Sequence, residues 1–546
     1  MNKFCNYLFG AALTGALLFS ANVSAQTAPA AADLPKNWHQ LDLKADGYYG
    51  ISLAKAYNFL KGKKSKTVIV ATIDSGIDTN QTDLKSILWV NPKEMPNNGK
   101  DDDKDGFVDD VHGWDFLGGP GGKVDYTETT EEVREYNRLK SKYENVTTAP
   151  EGSEKEFAYW QQVKAQHDET VGKSSTELSQ LSPMMNALMA TSGYIKRELK
   201  LNSTQTFTKA DLDKISSAND TVAQSKGLWQ QMFMQVDGDN SKVIKEFSEY
   251  LAKLNNDVNP DLSARKNIVG DNPDVQDGKP YGNNVLTNPD ASHGTGVAGL
   301  IGAVRGNGYG IDGVADNVRI MSIKAVPNGD EYDKDIANAI RFAVDHGAKV
   351  VNMSFGKKIS PHKEWVDAAF KYAADHDVLL VQASGNDGQD VDAKPEYPND
   401  RFADGSQTDG PNVISVGASS AKVGEELAAS FTNYGKNTVD VFAPGVKVTS
   451  IDLNAEFNTA DGTSFASPIT AGIAALVLEY YPNLSAKQLK QVILESATPT
   501  TGVMVTKPGS KDEKVDFTTL SKTGGIVNAY NAVQIAAKLK GERKGK

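Results

Sequence analysis

The chain alternates between two kinds of hydrophobic pattern. Thr67–Ile73 (TVIVATI), residues 318–326 (VRIMSIKAV), 348–355 (AKVVNMSF), 378–386 (VLLVQASGN) and 412–419 (NVISVGAS) are nearly continuous apolar, β-branched runs. Such runs mark strands buried on both faces of a parallel sheet. Between them, DIANAIRFAVDHG and EWVDAAFKYAADHD carry apolar residues at helical spacing, and DGTSFASPITAGIAALVLEYY runs from a small-residue turn into an apolar helix. Strands alternating with helices predict an α/β fold with a doubly wound, mostly parallel sheet flanked by helices. Residues 119–285 break this rhythm. They are polar and helix-favouring, as in TEEVREYNRLKSKYENV and SKVIKEFSEYLAKLNNDV, and predict a large helix-rich insertion. Five methionines fall here, at 184, 185, 189, 232 and 234, and are expected to fill space between helices.

The ends of the chain have their own patterns. Lys3, the apolar run Leu8–Phe19 and Val23-Ser24-Ala25 form a signal peptide over 1–25. The mature protein is therefore expected to be exported, periplasmic or extracellular, without stable membrane insertion. Residues 26–44 are expected to act as a leader and linker, and 541–546 (GERKGK) as a basic tail. The only cysteine, Cys5, lies in the signal, so the mature chain has no disulfide, no thiol nucleophile and no cysteine–metal site. The net charge of −12 argues against nucleic acid as a partner and suits cation binding.

In doubly wound sheets, function collects where strand ends meet helix starts. Four short motifs sit at such ends: DSGID at Asp74, HGTGVAG at His293, ASGNDG at Asn386 and GTSFASP at Ser464. Each has an ordinary explanation when taken alone. A serine at a helix start caps it, DSGID and GND are turn chemistry, and one of seven histidines opening a helix is unremarkable. Together they supply what acyl transfer needs. A hydroxyl requires a base, a histidine base requires an orienting carboxylate, and a developing oxyanion requires donors.

The four motifs, in this order, resemble those of the subtilisin-like serine proteases, over roughly 45–118 and 286–540. The resemblance implies a subtilisin-like catalytic domain in which Asp74 orients, His293 is base and then acid, Ser464 is the nucleophile and Asn386 serves the oxyanion hole. It implies that Ser354, Phe355 and Gly356 pair with extended substrate, and that Ala383, Ser384 and Gly385 form a wall of the specificity pocket. The implied function is an exported serine endopeptidase acting on protein or peptide substrates through an acyl-enzyme. The alternatives are a catalytically silent scaffold binding a peptide or partner, and an esterase or ligase using the same residues. Gly296 replaces the family's second histidine, and Phe465 its methionine after the serine. The segment between Gln26 and Asp74 is too short for the usual long prosegment. Neither oligomeric state nor cleavage preference is legible.

Residues 97–115 form an acidic loop in which Asp101, Asp103 and Asp105, then Gly106, reproduce half of an EF-hand loop. His112 stands where that loop has its glutamate, and Asp109 and Asp110 are expected to complete a structural Ca2+ shell. No organic cofactor is expected. By the resemblance, Asp83 also matches a calcium-holding position. The insertion is expected to act as a lid, a substrate-selecting surface or a folding aid.

Overall fold

The structure is a computed structural model describing residues 34–216, 219–234, 236 and 238–543. The expected signal peptide 1–25 with Cys5, residues 26–33 of the expected leader and the last three residues of the basic tail lie outside the described residues. Among those described, no helix is long and apolar enough to cross a membrane.

The chain divides into two compact units, one of which contains Leu34–Glu135 and Leu262–Lys546. Its centre is a nine-stranded sheet. In chain order the strands are β1 Val68–Asp74, β2 Gly113–Asp115, β3 Val318–Lys324, β4 Val350–Met353, β5 Leu379–Ala383, β6 Val413–Ser419, β7 Val441–Pro444, β8 Thr498–Pro499 and β9 Gly525–Ile526. They lie in the order β8-β9-β7-β6-β5-β4-β1-β3-β2. Every pairing is parallel except β8 with β9. From β1 the chain goes to the edge at β2, returns to β3 and then crosses β1 to wind outward through β4, β5, β6 and β7. The strand order therefore switches at β1, where ligand sites form in such sheets.

The continuous apolar runs are explained by two covered faces. Val68 and Val70 join one core with Ile320, Val350, Leu379 and Val381. Ala71 and Ile73 join the other with Met321, Val351 and Leu380. The period of two sorts each strand into both cores. The first core takes helices α1 Leu53–Leu60, α2 Ser292–Gly302 and α5 Thr463–Tyr480, and the second takes α3 Asp333–Asp345 and α4 Lys363–Asp375. Helix α5 is apolar all round because almost every residue of it is buried. Asp74 shares the parity of Val68 and Val70 and so faces the side that carries α2 and α5.

Two stretches expected to be loose are packed. Trp38, in the leader, is fully buried and its indole donates to the Lys447 carbonyl at 3.1 Å. Gly541–Arg543 are held as well: the Arg543 amide donates to Asn483 O at 2.8 Å and its guanidinium to Leu484 O at 3.0 Å. A single tryptophan in polar surroundings has no periodicity, so pattern alone gives no sign of its burial.

The second unit contains Tyr136–Asp261. The helix-rich block therefore separates into this unit and two flanks, 119–135 and 262–285, that belong to the sheet unit. Its longest helix is Glu154–Glu198, which packs with Asp220–Met232 and Asn240–Val258 around Phe207, Trp229 and Phe247. The methionines divide. Met232 is buried and Met184 and Met185 pack on this core, but Met189 and Met234 are 58% and 72% exposed, correcting the expectation that all five fill it.

Candidate active site

Helix α2 begins directly against the turn that follows β1. A Cβ on Gly294 would stand 2.1 Å from the Gly76 carbonyl oxygen, so only glycine permits the approach. That approach delivers the neighbouring His293 to Asp74, Nδ1 to Oδ1, at 2.7 Å. A carboxylate only accepts, so the imidazole proton sits on Nδ1 and Nε2 is left as the basic nitrogen. The Ser75 amide also donates to Asp74 Oδ1, at 2.8 Å. Asp74 is buried and His293 half-exposed. Burial opposes the imidazolium, but the Asp74 charge and hydrogen bond outweigh it, and the His293 pKa ends above its ordinary value.

Ser464 is the second residue of α5 and is half-exposed. Its backbone is fixed from the sheet: the Ser354 hydroxyl donates to the Ser464 carbonyl at 2.9 Å. Ser354 accepts in turn from Asn352 Nδ2 at 2.9 Å, while Asn352 Oδ1 accepts from the Ser467 hydroxyl at 2.8 Å. Asn386 lies just beyond β5, and its Oδ1 accepts from the Thr463 amide at 2.9 Å and hydroxyl at 3.0 Å. With Oδ1 engaged by the residue before the serine, Nδ2 is the end of the amide left to donate. The end of β1 and the start of α2 thus supply one bonded pair. The ends of β4 and β5 with the start of α5 supply a bonded set around Ser464, whose neighbour Phe465 meets the His293 ring. Among the described residues neither Ser464 Oγ nor His293 Nε2 has a hydrogen-bond partner.

Of the expected substrate segment, Ser354 is buried and its hydroxyl braces the serine, Phe355 packs on the second core and Gly356 is exposed. Sequence reasoning missed this bracing role of Ser354 and the Thr463 contact. Ala383 ends β5, and Ser384 bonds Val416 O through its amide and Asn433 O through its hydroxyl. Gly385 has φ +100°, and a Cβ there would meet Asn433 Nδ2 at 2.3 Å, so its backbone requires glycine. At Gly296 a Cβ would lie 3.4 Å from the Ile451 carbonyl, so the position taken by histidine in the resembling family abuts a strand here. The Phe465 ring meets the His293 ring edge-on at 6.2 Å.

The acidic loop is organised differently from the expected shell. Glu94, Asp101 and Asp103 bring carboxylate oxygens within 4.8 Å of one another, and so do Asp103 and Asp105 with His346. Asp109 belongs to neither group; its two oxygens accept the Asn98 and Gly99 amides at 3.1 and 2.8 Å. His112 bonds the Trp89 carbonyl at 2.7 Å. Glu94 and His346 were not legible as members. His346 Nδ1 contacts the Phe342 carbonyl at 2.8 Å, which leaves Nε2 toward Asp105 and Asp110, at 2.8 and 3.3 Å. Asp103 Oδ1 and Asp110 Oδ2 are buried without hydrogen-bond partners. Desolvation pushes the Asp110 carboxyl up to about 7 against the pull of the Asn91 hydrogen bond and His346. Asp83 is also fully buried. Its Oδ1 accepts from Asn307 Nδ2 at 2.6 Å, and its Oδ2 has no partner.

A sequence profile described as the subtilase family matches residues 65–524. The thermophilic serine proteinase of Bacillus sp. (strain AK1) is 35% identical over 243 residues, covering 44% of this chain and 52% of that protein. Subtilisin Savinase of Lederbergia lenta is 33% identical, covering 44% of this chain and 79% of its own. A solved cold-adapted subtilisin-like serine proteinase is 27% identical over 44% of this chain and 74% of its own, with a TM-score of 0.34. The chain spans about half the length of the first of these relatives.

Proposed function

This chain belongs to the subtilase family, and from that premise we propose that it is an exported serine endopeptidase. The observation that carries the reading is the 2.7 Å contact of Asp74 with His293, beside a serine at a helix start whose neighbour anchors Asn386. The mechanism follows from these groups. His293 Nε2 takes the Ser464 hydroxyl proton as Oγ attacks the peptide carbonyl carbon. Asp74 holds the tautomer and offsets the imidazolium charge. The carbonyl oxygen becomes an oxyanion, received by Asn386 Nδ2 and the Ser464 amide at the positive end of α5. Collapse expels the amine, which takes its proton from His293 and leaves an acyl-serine. Water, deprotonated by the same nitrogen, releases the acid.

A silent scaffold is the less favoured alternative, because all four catalytic positions are filled and the reactive ends of Ser464, His293 and Asn386 are half-exposed rather than packed away. Casein or peptide hydrolysis by the wild type, abolished by a serine-directed inhibitor and by Ser464→Ala, tests the reading; inhibitor-resistant cleavage would refute it.

We further propose that Glu94, Asp101 and Asp103 hold a structural calcium ion. All-oxygen ligands suit a hard cation, and the buried, unpartnered Asp103 Oδ1 supports the fit. The His346 side suits it less, because there a nitrogen ligand stands 2.8 Å from Asp105 and 3.3 Å from Asp110. Asp83, with its own unpartnered buried oxygen, is proposed as a ligand of a second ion. Such ions would supply charge neutralisation and order, not chemistry.

A further inference from the structure

The connection from β5 to β6 carries a carboxylate that the mechanism leaves unused. Glu396 lies between the two segments assigned to substrate. A Cβ on Gly356 would stand 3.4 Å from Glu396 Oε1, and one on Gly385 would stand 3.5 Å from its carboxyl carbon. Glu396 also lines a small cavity together with Ala383, Ser384 and Arg401, whose guanidinium is engaged by Asp392 at 3.1 Å. Glycine on both flanks keeps space beside the carboxyl that any side chain would narrow.

The surroundings leave that carboxyl without a matched cation. Its only side-chain hydrogen bond among the described residues comes from Gln389 Nε2, at 3.4 Å. Two buried acids of this unit show the contrast: Glu131 is matched by Lys357 at 2.7 Å and Arg134 at 2.8 Å, and Asp335 by Arg265 at 2.6 Å. Around Glu396 the charge is mostly negative. Desolvation first, then Asp387, Asp330 and Glu331, push its carboxyl up to about 8 against the pull of Lys358, whose ammonium lies 3.9 Å from Asp387. A buried acid in a negative field is relieved by a cation that comes to it.

We propose that Glu396 selects substrates whose residue on the acyl side of the cleaved bond is lysine or arginine. The inference rests on the protease reading above and gives its specificity. The long aliphatic stem of such a residue would run between Gly356 and Gly385, and its charged head would meet the carboxylate. An apolar residue there would desolvate the carboxylate further and leave it unpaired, which disfavours that substrate.

The test is a set of fluorogenic peptides identical except for Arg, Lys, Leu, Phe or Glu at the acyl-side position. The wild-type enzyme is expected to show kcat/KM for Arg and Lys at least tenfold above Leu and Phe. Glu396→Gln should lower the Arg and Lys values at least tenfold and raise those for Leu and Phe. The Arg-to-Leu ratio of the wild type should climb between pH 6.5 and 9, as the carboxyl loses its proton while arginine stays charged. A wild-type preference for Leu or Phe, a flat ratio across that range, or an equal fall for all five peptides in the variant would overturn the proposal. If the variant does not fold, the wild-type profile and its pH ratio decide. Labelling of Ser464 by a fluorophosphonate separates the two readings. Labelling with cleavage only at apolar residues overturns the specificity alone, whereas no labelling and no cleavage of any peptide overturns both.

Discussion

The serine end of the sheet and the acidic loop are both polar and tightly built, but they are satisfied in different ways. Around Ser464, most supporting polar atoms are paired inside the chain; Asp74 Oδ2 is buried without a hydrogen-bond partner, but Oδ1 of the same carboxylate bonds His293 and the Ser75 amide. Ser354 braces the serine's carbonyl, Thr463 holds Asn386, and Asp74 holds His293. Ser464 Oγ and His293 Nε2, the reactive atoms without partners among the described residues, belong to half-exposed residues, where a substrate would arrive. In the acidic region Asp103 Oδ1 and Asp83 Oδ2 are buried without partners, and Asp110 Oδ2 is buried without a hydrogen bond, with His346 Nε2 at 3.3 Å. A free group at the surface costs little, because water serves it. A free carboxylate oxygen in the interior needs a proton or a cation. The first region is thus expected to be structurally complete by itself, and the second to depend on a guest.

The largest effect should come from the first region and leave stability alone. Ser464→Ala is expected to reduce kcat for peptide cleavage by about 10^6-fold, the scale for removing a nucleophile that acts as part of a unit. Its melting temperature should stay close to wild type, since the hydroxyl makes no internal bond. Rate assays beside calorimetry check this, and a fall of several degrees would break the contrast between the regions. Next in size is Asn386→Ala, expected to cost about 10^2–10^3 in kcat with KM nearly unchanged, because an oxyanion donor acts in the transition state. Equal losses in kcat and substrate affinity would assign Asn386 to ground-state binding instead.

The second region should show the reverse pattern, a stability loss without loss of the chemical groups. Removing calcium from an enzyme saturated about a hundredfold above Kd should withdraw about 2.7 kcal/mol. For a unit of this size this corresponds to a fall in melting temperature of about 3 °C. Scanning calorimetry with and without chelator measures it, and Asp103→Asn and Asp83→Asn report on the two sites separately. If chelation shifts no transition in any of these proteins, the buried oxygens are carried by protons and the calcium reading falls.

The same contrast explains what could be read from the sequence. The catalytic motifs are legible because close approaches force small residues beside the reactive ones. Gly294 pressed on Gly76, and Gly385 pressed on Asn433, leave a signature in the chain around His293 and Asn386. The parallel sheet is legible because strands covered on both faces lose the alternation of polar and apolar residues. The acidic site is only half legible. Asp101, Asp103 and Asp105 are spaced as a loop motif, but Glu94 comes from an earlier turn and His346 from the end of α3, more than two hundred residues away along the chain. Nothing local in DHGAKV marks that histidine. Asp109 has the right residue type and spacing, but it is not among the groups whose ligand atoms lie within 4.8 Å of one another, and spacing along the chain carries no sign of that.

The smallest effect concerns pH, and its sign follows from the pairing at Asp74. Catalysis requires His293 neutral, and the folded protein holds its pKa above the ordinary value of 6.5. Activity should therefore be full above that raised pKa and lost as pH falls through it, with the acid limb of kcat/KM lying above 6.5. Asp74→Asn removes both the charge and the acceptor that raise it. The residual activity of that variant should have its acid limb displaced downward, because only burial, which opposes the imidazolium, then acts on the ring. Measuring the limb in both proteins separates electrostatic tuning from mere placement of the imidazole. An unmoved limb would mean that Asp74 only positions the ring, and the serine end would owe its reactivity to geometry alone.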